Sequence, residues 1–352
     1  MKAELKEQMR QLIDRHGGTR MSDRNTASYR TVQVHHEVLS RIIDILYEEG
    51  YRLERVENLG GRHVEVIAGA IFAKGLSPRS LRSYWTEMRY WAEWIGKPGL
   101  VKRLCTYLPA VDPSFFKVTV AASSSLSWTE AGLDIVDVIR RADGLDLRLG
   151  CMVRIGLSFG LRRRELICLR VHKADKGNFL RVYAGDGPKS GRPRDVPVEH
   201  PFQRLVLDYV KELIPKSHFL GWQQTSRGNS ASLHANEDRF EKYFQKLEIT
   251  RAKCGTSAHG MRAEYAENIA MLHGLLPATL GGKADQMDQA DLRLRQEEVM
   301  ECLGHSRVSV ASSYYGSFRL TASRVGSRHI GSPGDQVKPE LPDGESEAND
   351  AI

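Results

Sequence analysis

Apolar residues recur three and four positions apart through the first third of the chain, and this period is typical of helices. We expect helices over residues 3–15, 27–49, 62–74 and 79–95. The last of these follows Ser77, a helix-capping serine, and opens with Pro78, which suits the first helical position. Its tryptophans share one side and arginines cover the rest. Those arginines fit either a solvated face or a surface that clamps a polyanion.

The second part of the chain predicts further helices and one β-hairpin. Residues 127–130 fit a capping box, with serine at the cap and glutamate three positions later, so we expect a helix over 131–142. Residues 148–161 are apolar on most sides, which is typical of a buried helix. Segments 178–184 and 194–198 flank a loop rich in glycine and proline and predict a hairpin. Amphipathic patterns predict the remaining helices over residues 202–214, 236–247, 257–272 and 292–302.

Changes in composition divide the chain. Prolines and a serine run near residue 115 indicate a linker, and glycine, proline and acidic residues near the end indicate disorder. The polar, glycine-rich segment 274–291 indicates a loop. The predicted fold class is mainly α with a small β-sheet (α+β). We expect a helical domain over residues 1–108, a linker over 109–126, a second domain over 127–325 and an acidic disordered tail over 326–352.

The composition is that of a soluble globular protein. Of the 352 residues, 41% are hydrophobic and 27% are charged. No apolar run approaches the ~20 residues of a membrane span, and the first residues lack the apolar core of a signal peptide. The five cysteines are scattered without C-x-x-C spacing. They predict reduced thiols in a cytoplasmic protein.

The charge is basic and unevenly distributed. The net charge is +7, but residues 332–352 hold six acidic residues and one lysine, so residues 1–331 carry +12. A body this basic favours a polyanionic partner such as nucleic acid, although such a charge also serves solubility.

Four short motifs carry candidate chemistry. They read G-L-R-x-x-E-L at residues 160–166, K-S-G-x-x-R-x-V-P at 189–197, H-x-x-R at 259–262 and L-G-H-(x8)-Y at 303–314. On one unbroken helix the histidine and tyrosine of the last motif would point apart, because nine residues span roughly 13 Å and half a rotation. We therefore expect a turn within the serine-rich run 306–313.

The four motifs in this order resemble the tyrosine recombinase (phage integrase) family. The resemblance covers residues 125–320, and the N-terminal region resembles the family's core-binding domain more weakly. Arg162 and Arg262 match the two arginines whose guanidiniums grip the non-bridging oxygens of a phosphodiester. Tyr314 matches the nucleophile, which forms a covalent 3′-phosphotyrosyl intermediate with DNA.

Four further positions match the family. Lys189 matches the hairpin lysine, which is thought to protonate the leaving 5′ oxygen. His259 and His305 match the positions that assist proton transfer and bind the phosphate. Glu165 matches an acidic position that is mainly structural. The interval between the H-x-x-R and L-G-H motifs is longer than is common in the family, and we interpret the surplus in 274–291 as a loop insertion.

Several neighbours of these positions have simpler interpretations. Tyr315 adjoins Tyr314, but the family spacing of nine residues from the histidine selects Tyr314. Tyr315 would then fill the core or face solvent. Arg163 and Arg164 fit surface charge or a contact to the DNA backbone, and Arg194 is expected to flank the hairpin.

The resemblance implies a site-specific DNA recombinase or integrase from an integrative mobile element. Its partner would be double-stranded DNA at specific recombination sites, bound as a homo-oligomer (a tetramer), with accessory DNA-bending proteins as candidate helpers. It implies no cofactor and no metal, and the carboxylate pairs of a two-metal nuclease are not visible near the motifs. Two alternatives stay open: a type IB-like topoisomerase, and a DNA-binding protein without catalytic activity. The filled catalytic positions count against the second.

Overall fold

A computed structural model describes residues 1–118, 121–183, 193–304 and 308–318. The chain divides into two compact units, Met1–Thr119 and Val120–Ile352. Each unit has its own apolar core. All five cysteines are free thiols. Among the described residues, no helix combines the length and apolar character that crossing a membrane would require.

The first unit is helical, and its four main helices confirm the predicted ones. Buried side chains such as Ile42, Ile67 and Trp91 meet in its core. Ser77 caps the fourth helix as predicted, since its hydroxyl accepts a hydrogen bond from the Ser80 N–H at 3.3 Å. The helices are α1 (Lys2–His16), α2 (Tyr29–Glu48), α3 (Gly61–Ala73), α4 (Pro78–Trp94) and the short α5 (Leu104–Tyr107).

The second unit is also mainly helical and contains one two-stranded sheet. Its first half consists of α6 (Ile135–Leu145), α7 (Leu147–Phe159), α8 (Arg163–Cys168), α9 (Val171–Ala174), β1 (Phe179–Val182) and β2 (Arg194–Pro197). Its second half consists of α10 (Pro201–Leu213), α11 (Leu233–Lys246), α12 (Arg251–Cys254), α13 (Gly260–Leu272), α14 (Gln289–Leu303) and α15 (Val308–Tyr315). Helices α7 and α13 are buried along most of their length and form the centre of the core. The predicted fold class, mainly α with a small β-sheet, is confirmed.

The predicted hairpin is present. Strands β1 and β2 pair antiparallel, with Leu180 opposite Val196 on the buried face and Arg181 opposite Asp195 on the exposed face. The hairpin loop, including Lys189, lies outside the described residues.

The helix predicted over residues 131–142 is wrong at its start. Helix α6 begins at Ile135, because the Asp134 carboxylate accepts from the N–H groups of Val136 and Asp137 at 2.8 and 3.1 Å. The Ser127 hydroxyl, the predicted cap, bonds instead to the Ser125 hydroxyl at 2.7 Å. An aspartate that satisfies two helix N–H groups competes successfully with a serine whose hydroxyl is already engaged.

The residues of the predicted linker pack locally where the structure describes them. Phe115 lies against Phe72 of the first unit, with ring centroids 5.8 Å apart. Ser125 donates to Glu267 of the second unit at 3.0 Å.

The turn expected within residues 306–313 is absent from 308–313, which are helical, and residues 306 and 307 lie outside the described residues. Helix α14 ends at Leu303, and Gly304 has a φ of +63°, which reverses the chain direction there. From Val308 onward the serine-rich run is helical as α15. The predicted loop 274–291 contains two short 3-10 turns, Ala278–Leu280 and Ala284–Gln286, before α14 begins.

Candidate active site

Arg262, on the first turn of α13, lies at the centre of the candidate site. Its side chain is only 1% exposed. Its Nε donates to the Tyr314 hydroxyl at 3.0 Å, one terminal nitrogen donates to the Leu303 carbonyl at 2.5 Å, and the other donates to the Gly160 carbonyl. Burial lowers the pKa of Arg262 to about 10, so the guanidinium stays charged at neutral pH. One buried cation thus joins the ends of α7 and α14 to α15.

Gly160 allows this arrangement because it ends α7 in the left-handed conformation, with φ of +58°. A Cβ at this position would lie 2.2 Å from the Tyr265 ring. A residue other than glycine would therefore be strained in its backbone and blocked by the ring. The reversal at Gly160 directs its carbonyl to Arg262 and places Arg162 at the start of α8.

Glu165 organises the second arginine of the site. Its carboxylate accepts from the Arg162 backbone N–H at 2.8 Å and from the Arg162 guanidinium at 2.9 Å. It also accepts two parallel bonds from Arg194, both 2.8 Å long. Burial alone would raise the pKa of Glu165, but the bonds from Arg194 and the neighbouring positive charges lower it to about 2. Glu165 is therefore ionised and holds Arg162, whose side chain is 39% exposed, at the rim of the site.

Arg194 is the residue that the sequence analysis missed. It does more than flank the hairpin, because its side chain is 6% exposed and forms the bidentate pair with Glu165. The Gly304 backbone packs on its aliphatic stem, where a Cβ would lie 2.0 Å from Arg194 Cδ. The strand period contains the signal: Arg194 and Val196 are two positions apart and share the buried face of β2.

His259 and Tyr314 face each other across the site. Their ring centroids are 5.4 Å apart, and the Tyr314 ring also lies 5.1 Å from the Arg262 guanidinium. Burial, followed by the charges of Arg262 and Arg162, lowers the pKa of His259 to about 4. His259 is therefore neutral at pH 7, with one ring nitrogen free of a proton. Tyr314 is 8% exposed.

The structure thus brings His259, Arg262 and Tyr314 into mutual contact and places Arg162 and Glu165 beside them. The other two candidate residues, Lys189 and His305, lie outside the described residues. Tyr315 is fully buried, as its core-filling interpretation predicts.

Arg163 and Arg164 are engaged by acidic residues of α11. Both bind Glu237, and Arg163 also lies 3.3 Å from Glu241. These pairs support the surface-charge interpretation of the two arginines.

Comparisons with known proteins agree with the motifs. Residues 3–101 match the family described as "Phage integrase, N-terminal". The fold matches the Tn1549 transposon integrase in complex with a circular intermediate DNA, with 14% identity, a TM-score of 0.55 and coverage of 92% of this chain and 98% of that one. It also matches a lambda integrase dimer bound to a COC′ core site, with 14% identity, a TM-score of 0.53 and coverage of 94% and 80%.

A third match is a lambda integrase tetramer bound to a Holliday junction, with 14% identity, a TM-score of 0.54 and coverage of 88% and 77%. No curated protein sequence matches the chain. At these identities the structural matches establish a shared fold. Together with the N-terminal family match they confirm the resemblance to the tyrosine recombinases.

Proposed function

Since the chain has the fold of the tyrosine recombinases and an N-terminal region of the phage integrase family, we propose that it is a site-specific DNA recombinase. It would cut and rejoin DNA strands through a covalent 3′-phosphotyrosyl intermediate. The observation that carries this proposal is the 3.0 Å contact between the Arg262 Nε and the Tyr314 hydroxyl, in a pocket that also holds neutral His259.

This contact suits a nucleophilic tyrosine. A phenol ordinarily titrates near pH 10, so at neutral pH it attacks only if its proton is accepted and the developing oxyanion is stabilised. The buried guanidinium of Arg262 supplies positive charge at the oxygen, and His259 faces the same ring. The Tyr314 oxygen would bond to phosphorus as the bond to the 5′ oxygen breaks, and the leaving oxygen would take up a proton.

Arg162 would hold the phosphate. Its guanidinium is partly exposed and fixed by Glu165, so it can meet a non-bridging oxygen without first being ordered. By their motif positions, Lys189 would protonate the leaving oxygen and His305 would bind the phosphate.

The proposed partner is double-stranded DNA at specific recombination sites. The +12 charge of residues 1–331 supports a polyanionic ligand. The similar integrases were solved with DNA, and one of them is a tetramer on a Holliday junction. By this likeness the chain would act as a tetramer on DNA, as part of an integrative mobile element, with accessory DNA-bending proteins as candidate helpers. The helical domain over residues 1–108 would clamp the DNA, and the domain over 127–325 would carry the chemistry.

A nicked suicide substrate that carries the recombination site tests the chemistry. We expect wild-type protein to form an adduct that survives a denaturing gel, and Tyr314→Phe to abolish it. Tyr315→Phe is the matched control: Tyr315 is fully buried, and within the described residues its hydroxyl has no hydrogen-bond partner, so the ring alone fills the core.

Peptide mapping of the adduct identifies the nucleophile. An adduct at Tyr315, or one that persists in Tyr314→Phe, would refute the assignment. Relaxed plasmid without recombinant product would indicate a topoisomerase. Tight DNA binding with no adduct in the wild-type protein would indicate a binding protein without catalytic activity.

A further inference from the structure

A cluster of three metal-ligating side chains lies outside the proposed catalytic site. It consists of Glu199, His273 and Cys302, whose ligand atoms all lie within 4.8 Å of one another. Glu199 follows β2, His273 ends α13 and Cys302 belongs to the last turn of α14. Three separate elements of the second unit thus each contribute one ligand, so a cation bound here would join them, with water as a fourth ligand.

The distances suit a small tetrahedral cation. His273 Nε2 lies 3.2 Å from a Glu199 carboxylate oxygen. Two ligands bonded at the usual zinc distances span an edge of roughly 3.3 Å, so this pair is already spaced as a zinc site requires. The Cys302 sulfur lies within 4.8 Å of both other ligand atoms. A thiolate and an imidazole bonded to one zinc lie roughly 3.6 Å apart, so the sulfur would have to move by about 1 Å at most.

The surroundings of the cluster match those of a metal site. His273 Nδ1 lies 3.0 Å from the Glu298 carboxylate, which would fix the ring and leave Nε2 to the cation. The Arg295 guanidinium donates to the His273 carbonyl and holds the end of α13. The side chains of Glu199 and His273 are 26% and 21% exposed, so a cation can reach the cluster from solvent.

Tyr265 lies beside the cluster. Its side chain is 2% exposed, and its hydroxyl is close to the Cys302 sulfur. A neutral thiol is a weak acceptor, whereas a metal-bound thiolate at Cys302 would accept a hydrogen bond from this hydroxyl more strongly.

We propose that Glu199, His273 and Cys302 bind a single zinc-class cation that fixes the last turn of α14. The thiolate and imidazole favour Zn²⁺ or Co²⁺ over Mg²⁺ or Ca²⁺, which prefer oxygen ligands. Leu303, which accepts from Arg262, and Gly304, which packs on Arg194, follow Cys302 directly. The cation therefore stabilises the end of α14 beside the candidate active site. The proposal does not depend on the DNA reaction.

Cobalt is the probe. The full chain is stripped with EDTA, dialysed and titrated with Co²⁺. A thiolate-to-cobalt band in the near ultraviolet and the visible bands of tetrahedral cobalt should rise together and reach an end point at one equivalent. Zn²⁺ should displace the cobalt and raise the thermal midpoint of the apo protein.

Variants assign the ligands. Cys302→Ser and His273→Gln should abolish the bands, whereas Cys254→Ser should retain them, because Cys254 is a partly exposed thiol on α12 outside the cluster. Glu298→Gln should weaken binding by about 10- to 100-fold, since it loosens a ligand without removing one. Circular dichroism checks that each variant folds. If Cys302→Ser does not fold, His273→Gln provides the test, because His273 is partly exposed.

Folded wild-type protein that shows no thiolate band with Co²⁺ would overturn the proposal. So would a band that persists in Cys302→Ser or disappears in Cys254→Ser. In those cases the His273 ring only bridges two carboxylates as a surface ion pair.

Discussion

Replacing Arg194 with methionine removes one of the two guanidiniums that bond to buried Glu165 and keeps most of the side-chain volume. The Arg194 and Glu165 side chains are 6% and 8% exposed, and two bonds of 2.8 Å join them. Removing one partner of a buried pair typically costs about 3–5 kcal/mol. Because the Arg162 guanidinium and N–H still bond to Glu165, we take the lower end of that range. We expect Arg194→Met to lower the free energy of unfolding of the second unit by that amount at pH 7.

The same hairpin offers a matched control. Arg181 and Asp195 also form a bidentate pair, at 2.7 and 2.6 Å, but their side chains are 42% and 40% exposed. An exposed pair is screened by solvent and contributes little to stability, so Arg181→Met should be nearly neutral. The two substitutions remove the same group from the same strand pair, and they differ in burial.

Urea titration, monitored through amide hydrogen exchange in α7, reports on the unfolding of the second unit alone. The double variant Arg194→Met with Glu165→Leu should regain most of the loss, because it leaves no buried charge. The pKa of Glu165 is about 2, below its ordinary value of 4.5. The ionised, paired carboxylate therefore stabilises the fold fully above pH 4.5, and this stabilisation is lost as the pH falls toward 2. The difference between wild type and Arg194→Met should therefore shrink in acid. Equal effects of Arg194→Met and Arg181→Met at pH 7 would refute the reasoning.

Three further predictions concern the candidate site. Arg162→Ala should lower the rate of covalent adduct formation by at least ~100-fold, by analogy with the loss of an oxyanion donor, and leave DNA binding in a gel-shift assay largely intact. His259 should titrate near pH 4 by NMR. Because this pKa lies below the unfolded value of about 6.5, the His259 contribution should lower the free energy of unfolding as the pH drops from 6.5 to 4. His259→Gln should remove that contribution. Adduct formation should persist in excess EDTA, at a temperature below the melting temperature of the EDTA-treated protein, because guanidiniums act at the phosphate. Loss of the adduct on chelation and its recovery with Mg²⁺ would contradict this.

The helices and the hairpin were predictable because their apolar period is strong. Helix α4, for example, has both a serine cap and an apolar stripe, so local and tertiary preferences agree. The start of α6 was not predictable from pattern alone, because Ser127 and Asp134 are both good caps. Tertiary contacts decide between them: Trp128 is fully buried and Thr129 bonds to Glu264 of α13, which holds residues 127–129 in a turn.

The residues of the candidate site also differ in how much the sequence reveals about them. Arg262 and Tyr314 belong to motifs that can be found by spacing, and the structure places them in contact. Arg194 also belongs to a motif, K-S-G-x-x-R-x-V-P, and the strand period places it on the buried face of β2. Neither signal identifies its partner, because the pairing between β2 and α8 joins positions 29 residues apart in the chain.

The glycines of two motifs explain how Arg262 can be buried with its charge intact. Helix α7 ends at Gly160 and helix α14 ends just before Gly304, and both glycines are left-handed. The last carbonyls of a helix lack partners within the helix and carry partial negative charge. Two such carbonyls, of Gly160 and Leu303, accept from Arg262. Two helix ends thus solvate the guanidinium where a single carboxylate would neutralise it, and a cation held in this way keeps its attraction for the Tyr314 oxygen and for a phosphate.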